Sequence, residues 1–215
     1  MRFSRSSPSA RYVELIAMYR QLHEHGVESL AIPSARTFAG ASLMRQVTRI
    51  KSLIDRTGAR TLLDYGSGKG SYYRGQPVAV KGAGSFDSVL DYWNVDSVAC
   101  YDPAYAPFSD LPKEQFDGVV CTDVMEHCPA EDVPWIVDEM FAYARRFVFV
   151  NVACYPAKKT LPNGENAHCT IEPPGWWEAV YRASARRHPG VTWELWATQP
   201  DGARAGRMGE VRIAG

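Results

Sequence analysis

Apolar positions recur at helical spacing in two stretches near the start of the chain. Tyr12, Leu15, Ile16, Tyr19 and Leu22 form one stripe that ends near Gly26, and Leu43, Val47, Ile50 and Ile54 form another that stops at Gly58. Two helices are therefore expected ahead of any sheet. The period then changes. TLLDY (61–65), SVACYD (97–102), GVVCT (118–122) and FVFVNV (147–152) are short apolar runs without helical spacing, as parallel strands buried on both faces read. Between the last two lies PAEDVPWIVDEMFAYARR (129–146), with apolar Val133, Ile136, Val137, Met140, Phe141 and Ala144, and with Pro134 tolerated in the first turn. It predicts the crossover helix of a βαβ unit. A further helix is expected from Pro173 and Pro174 through Trp177, Val180 and Tyr181 to the neighbourhood of Arg187. VTWELWAT (191–198) and GEVRIAG (209–215), joined by turn-rich QPDGARAGRM, predict a terminal antiparallel hairpin. The expected architecture is α/β: a mostly parallel sheet ending in that hairpin, helices on both faces, and an N-terminal helical extension. One compact unit is expected, with a helical cap over 1–58 and a core over 59–215.

Composition narrows the function classes. With 215 residues, 46% hydrophobic and 22% charged, the chain is ordinary globular protein, and disorder, collagen and coiled coil are excluded. Its 24 basic and 24 acidic side chains cancel, so no global field favours nucleic acid or an anionic membrane. Cys100, Cys121, Cys128, Cys154 and Cys169 form no CxxC pair, which argues against a disulfide framework. The basic start has an apolar part broken by Glu14 and no small-residue cleavage site, and no apolar run reaches membrane-spanning length. A cytoplasmic location is expected.

Chemistry enters at the end of the first strand, in Asp64-Tyr65-Gly66-Ser67-Gly68-Lys69-Gly70. Three glycines in five residues let the main chain turn sharply and present amide groups to a ligand. A triphosphate P-loop would need glycine six positions before Lys69 and Ser or Thr directly after it; the chain has Leu63 and Gly70. The GxGxxG dinucleotide fingerprint is also not met, since the spacing here is GxGxG.

DYGSGKG, followed by VACYDP and then FDGVVCTDVMEHCP, resembles the class I S-adenosylmethionine-dependent methyltransferases, whose fourth-strand segment commonly reads FDxVxxxxVxEHxP. The similarity covers roughly residues 61 to 152. The resemblance implies a Rossmann-like methyltransferase sheet and S-adenosylmethionine as cofactor. It places Gly66, Gly68 and Gly70 against the methionyl part with Asp64 and Ser67 close by, sets Lys69 either over the cofactor's carboxylate or in solvent as a loop lysine, and gives the ribose diol to Asp102 beside Pro103. Thr122, Asp123 and Val124 would complete the cofactor side. Two departures stand out. Residues 71–85 intervene where a helix would follow the glycine loop, so that helix is displaced to FDSVLDYW or the segment is a pocket lid. Only 14 residues (103–116), with Pro103, Pro107 and Pro112, precede the next strand, too few for a helix and a third strand. No motif then assigns the adenine contact, for which Asp110 and Leu111 are the candidates.

A sulfonium cofactor is an activated methyl donor, so the protein's task is to align the nucleophile, exclude water and, for a hydroxyl or protonated amine, remove a proton. His127, just past a strand end, and His168, in the long segment 153–177, are the candidate bases. Glu126, Tyr155, Asn166 and Trp176 are candidate acceptor contacts. The doublets His127-Cys128 and His168-Cys169 invite a zinc reading, but adjacent residues seldom aim at one ion, and no metal is expected. Base-methylating motifs are absent: the chain has Thr122-Asp123-Val124-Met125 where Asp/Asn-Pro-Pro-aromatic would stand, and Cys128-Pro129 reverses the Pro-Cys order. The reading is methyl transfer to an oxygen or nitrogen of a small molecule such as a sugar or metabolite, without nucleic-acid or membrane partners and with a homo-oligomer left open. Its alternatives are a non-catalytic module of the same fold and a nicotinamide-dependent reductase.

Overall fold

The computed structural model describes residues 2–27, 30–202 and 206–215. Helix α1 (Ala10–His25) is capped by Ser9, whose Oγ accepts the Tyr12 N–H and donates in turn to Asp132. The helix stops at Gly26, where φ is +87° and a Cβ would lie 2.3 Å from the Ile32 carbonyl oxygen. Helix α2 (Ala41–Thr57) ends in the left-handed Gly58 and buries Leu43, Val47, Ile50, Leu53 and Ile54. Strand β1 (Thr61–Tyr65) follows, then a small hairpin of β2 (Val78–Val80) and β3 (Gly84–Phe86), and the short helix α3 (Val89–Trp93). The chain continues through β4 (Ser97–Tyr101), β5 (Phe116–Thr122), α4 (Val133–Tyr143), β6 (Ala144–Ala153), α5 (Pro174–Ala185), β7 (Thr192–Pro200) and β8 (Met208–Ala214).

The main sheet has the order β4-β1-β5-β6-β7-β8, parallel throughout except for β8, which pairs antiparallel with β7. This is the expected α/β sheet with its terminal hairpin; residues 203–205 of the joining turn lie outside the described residues. Side chains alternate between two buried layers. Leu63, Val119 and Val148 face α4 and α5, whereas Leu62, Val120, Phe147 and Phe149 face α2 and α3. A third cluster, with Leu15, Met18 and Leu22 of α1, closes on Leu161 and Ala167. Two predicted bounds move. The crossover helix ends at Tyr143, because Ala144 already pairs with Phe116 in the sheet, and α5 stops at Ala185.

Residues 71–85 are not a pocket lid. They form a single turn and the β2–β3 hairpin, and Val78 and Val80 are buried with Trp93 on the α2 side of the sheet. The helix that would follow the glycine loop is displaced to α3. Among the described residues no third strand lies outside β4, so β4 is the sheet edge; residues 106–108 make only one helical turn. No helix of the described residues is long and apolar enough to cross a membrane.

At the other side of the sheet, Glu194 of β7 joins three elements. Its carboxylate accepts from Arg212 on β8 at 2.8 Å, from Arg56 on α2 at 2.5 Å and from Trp196 Nε1 at 3.2 Å. Burial alone would raise its pKa, but the hydrogen bonds from Arg212, Arg56 and Trp196 outweigh it and hold the group at about 2.

Candidate active site

The C-terminal tips of β1, β4 and β5 lie side by side, the place where open α/β sheets bind ligands. The chain leaves β1 by folding back on β4: the Gly66 and Ser67 amides both donate to the Tyr101 carbonyl, at 2.7 and 3.0 Å. Glycine is required here. At Gly66 (φ +84°) a Cβ would sit 2.4 Å from Val124 Cγ2, and at Gly68 (φ +56°) it would sit 2.4 Å from the Phe38 oxygen. The Gly68 N–H donates to Asp102 Oδ2 and the Ala104 N–H to Asp102 Oδ1, each at 2.9 Å. The Lys69 N–H donates to the Phe38 carbonyl and that of Gly70 to Ser67. The expectation that this loop presents free amides is thus corrected: all five are engaged inside the protein.

Gly66, Gly68, Asp102 and Pro103 form one wall of a cavity of about 120 Å³. Asp123, Val124 and His127 beyond β5 form another, and Tyr12, Leu15, Ile16, Tyr19 and His23 of α1, with Phe38, close it. α2 does not line it, although Ser42 near its start donates to Asp123 Oδ2. Asp123 is left-handed (φ +53°), and its Oδ1 accepts from Asn151 Nδ2 at 2.6 Å. Two hydrogen bonds thus hold this carboxylate at the cavity edge.

His23 was not anticipated. It is buried, its ring stacks on Tyr105 at 4.9 Å and meets Phe38 at 4.6 Å, and Nε2 stands 3.8 Å from Asp102 Oδ2. Its position was readable, because His23 lies four residues after Tyr19 and continues the same stripe of α1.

The two predicted histidines meet. Their rings are 4.8 Å apart in a T-shaped contact. His127 Nδ1 lies 2.8 Å from the Ala167 carbonyl oxygen and 2.7 Å from the Tyr19 hydroxyl, and His168 Nδ1 lies 2.5 Å from the Tyr155 carbonyl oxygen. A carbonyl oxygen only accepts, so these contacts assign the proton to Nδ1 in both rings. Burial, then the neighbouring His168, pushes His127 down to about 4, and burial lowers His168 as well. Such a group is a weak proton acceptor at neutral pH, which speaks against the base role expected of His127.

Other candidates lie outside the cavity wall. Asp64 is buried and accepts from the Tyr73 hydroxyl at 2.8 Å; burial raises it to about 7. Ser67 is buried under the loop, Lys69 Nζ sits 4.8 Å over the Tyr105 ring, and Gly70 packs against Cys100. Thr122 pairs with Asn151 in the sheet. Glu126 is fully buried, with Oε1 accepting the Ala153 N–H at 2.9 Å. Asn166 clamps its own loop, accepting from the Ala157 and His168 amides and donating to the Ala157 carbonyl. The Tyr155 ring meets His168 at 5.8 Å, while Trp176 packs edge-on to Trp177 against the core. Asp110 is exposed and Leu111 packs on the core, so neither lines the cavity.

No protein-family model matches the chain, and no curated protein matches it. Among solved structures, the fold is similar to that of the Burkholderia thailandensis 1,6-didemethyltoxoflavin-N1-methyltransferase, a structure with bound 1,6-didemethyltoxoflavin and S-adenosylhomocysteine. The TM-score is 0.51 at 15% identity, over 96% of this chain and 90% of the other. The likeness establishes a shared Rossmann-like fold.

Proposed function

We propose that the chain is an S-adenosylmethionine-dependent methyltransferase acting on an oxygen or nitrogen of a small molecule in the cytoplasm. One observation carries this reading: the glycine turn after β1 and the Asp102 carboxylate after β4 form one wall of a single cavity at the tips of adjacent strands. The donor set suits the cofactor. Asp102 is pinned by two backbone N–H groups, and a carboxylate offers about four acceptor positions, which leaves two for a vicinal diol. Gly66 and Gly68 allow the close main-chain approach that a methionyl tail needs, and the amides of Ser67, Lys69 and Gly70 hold the turn. The bound cofactor would supply an activated methyl group. Asp123 and His127, on the opposite wall, would orient the acceptor, and α1 acts as the cap. The N-methyltransferase of the same fold, which holds a small heterocycle and the demethylated cofactor, supports this substrate class.

About 120 Å³ is less than the roughly 300 Å³ of small-ligand sites, so binding would require His23 and Phe38 to swing away from the loop. Titration calorimetry with S-adenosylhomocysteine is expected to give micromolar-class binding, weakened about tenfold or more in Asp102→Ala. Absence of binding to the wild type, or displacement by NADH instead, would overturn the assignment. The engaged loop amides and the small cavity favour a second reading, a module of this fold without turnover. Cofactor binding with no transfer across a broad acceptor panel would identify it.

A further inference from the structure

Glu126, His127 and His168 each offer one donor atom, and these atoms lie within 4.8 Å of one another. Glu126 has no exposed surface; while Oε1 accepts the Ala153 N–H, Oε2 has no hydrogen-bond partner among the described residues. A buried carboxylate oxygen is costly to leave unpaired, so an orphan of this kind calls for a partner. The two imidazoles supply what such a partner needs. Each commits Nδ1 to a backbone carbonyl, the arrangement that orients metal-binding histidines, and each keeps an Nε2 lone pair that no hydrogen bond uses among the described residues.

The segments that carry these groups are tied together. The Thr170 N–H donates to the Glu126 carbonyl at 3.0 Å and the Thr170 hydroxyl to the Cys128 carbonyl at 2.6 Å, while Asn166 fixes the turn before His168. His168 is therefore held against the tip of β5. The cysteines of the two His-Cys doublets are directed elsewhere: Cys128 Sγ lies 3.7 Å from the Val124 carbonyl and Cys169 Sγ 4.0 Å from Thr170 Oγ1.

We propose that Glu126, His127 and His168 bind one first-row divalent transition-metal ion of the zinc or cobalt type. Two imidazoles and one carboxylate suit these ions, whereas magnesium and calcium prefer oxygen alone. Metal–ligand bonds of about 2.0–2.2 Å place donor atoms roughly 3–4 Å apart, so the cluster closes on the ion by side-chain rotations of about an ångström. Three protein ligands leave a coordination position open, and His127 already lines the cavity that holds Asp102 and Asp123. The site stands independently of methyl transfer, and its test reads metal alone.

Protein stripped with chelator would be titrated with Co²⁺, followed by visible absorption, and with Zn²⁺ by calorimetry. One ion per chain is expected, with the ligand-field bands of a nitrogen and oxygen site. His168→Ala and Glu126→Gln should each weaken uptake about thirtyfold or more, while Cys169→Ser leaves it unchanged. Circular dichroism verifies folding, and if Glu126→Gln does not fold, His168→Asn on the half-buried loop decides. Failure to take up one ion, uptake unchanged in the histidine variants, or loss of uptake in Cys128→Ser would overturn the proposal.

Discussion

Two buried glutamates show how differently the two ends of the molecule use charge. Glu194, where β7 meets β8, receives Arg212, Arg56 and Trp196 and is held at about 2. Glu126, beyond β5, accepts the Ala153 amide, keeps an oxygen without a hydrogen-bond partner among the described residues, and is pushed well above the ordinary carboxylate range, first by burial and then by Asp123. The first carboxylate is fully satisfied and holds three elements together. The second is under-satisfied, stands beside two neutral imidazoles, and weakens the fold unless something else meets it. A fully satisfied buried carboxylate marks a joint; an under-satisfied one marks a candidate ligand site.

The sharpest break of this contrast is Glu194→Gln. It is expected to cost about 2 kcal/mol at pH 7, since hydrogen bonds to charged groups are worth roughly 1.5–3 kcal/mol each and two arginines are left facing an amide. Because the folded-state value lies below the unfolded 4.5, that contribution is present above about 4.5 and fades as pH falls through about 2. Urea denaturation at pH 7 and at pH 2.5 would show it, and an equal cost at both would dissolve the argument. Metal-free Glu126→Gln should change stability by less than about 1 kcal/mol at pH 7, with the opposite trend. The raised carboxyl of the wild type loses stability as pH rises, so the amide variant should gain on it towards pH 9. The smallest effect is expected at the exposed Lys51–Asp55 pair of α2, where Lys51→Ala should stay within about 0.5 kcal/mol by thermal melting.

The central strands were legible because β1, β5 and β6 are buried on both faces and so read as unbroken apolar runs. The β2–β3 hairpin was not, since three-residue strands carry too short a pattern and Lys81-Gly82-Ala83-Gly84 reads as loop. The end of α4 was misplaced because Ala144 fits a helix stripe as well as it fits the sheet, and pairing with Phe116 decided. At the cavity, Gly66, Gly68 and Asp102 stand where their motifs put them and His127 where its place after a strand end does, whereas His168 touches His127 from outside the cavity wall. His23 lies on the α1 stripe, four residues after Tyr19, but a count of apolar positions passes over it because histidine is not apolar. The depth of Glu126 could not be read, since glutamate is almost never fully buried and only the packed strand tips around it show that it is.

The hydrogen bond from Lys69 to the Phe38 carbonyl, together with the His23 ring stacked beside Asp102, has a thermodynamic consequence. Any large ligand of the cavity must first draw on the fraction of molecules in which these contacts are broken, so its apparent affinity is its intrinsic affinity multiplied by that fraction. A change far from the ligand that loosens α1 would therefore register as tighter binding, without one new contact being made.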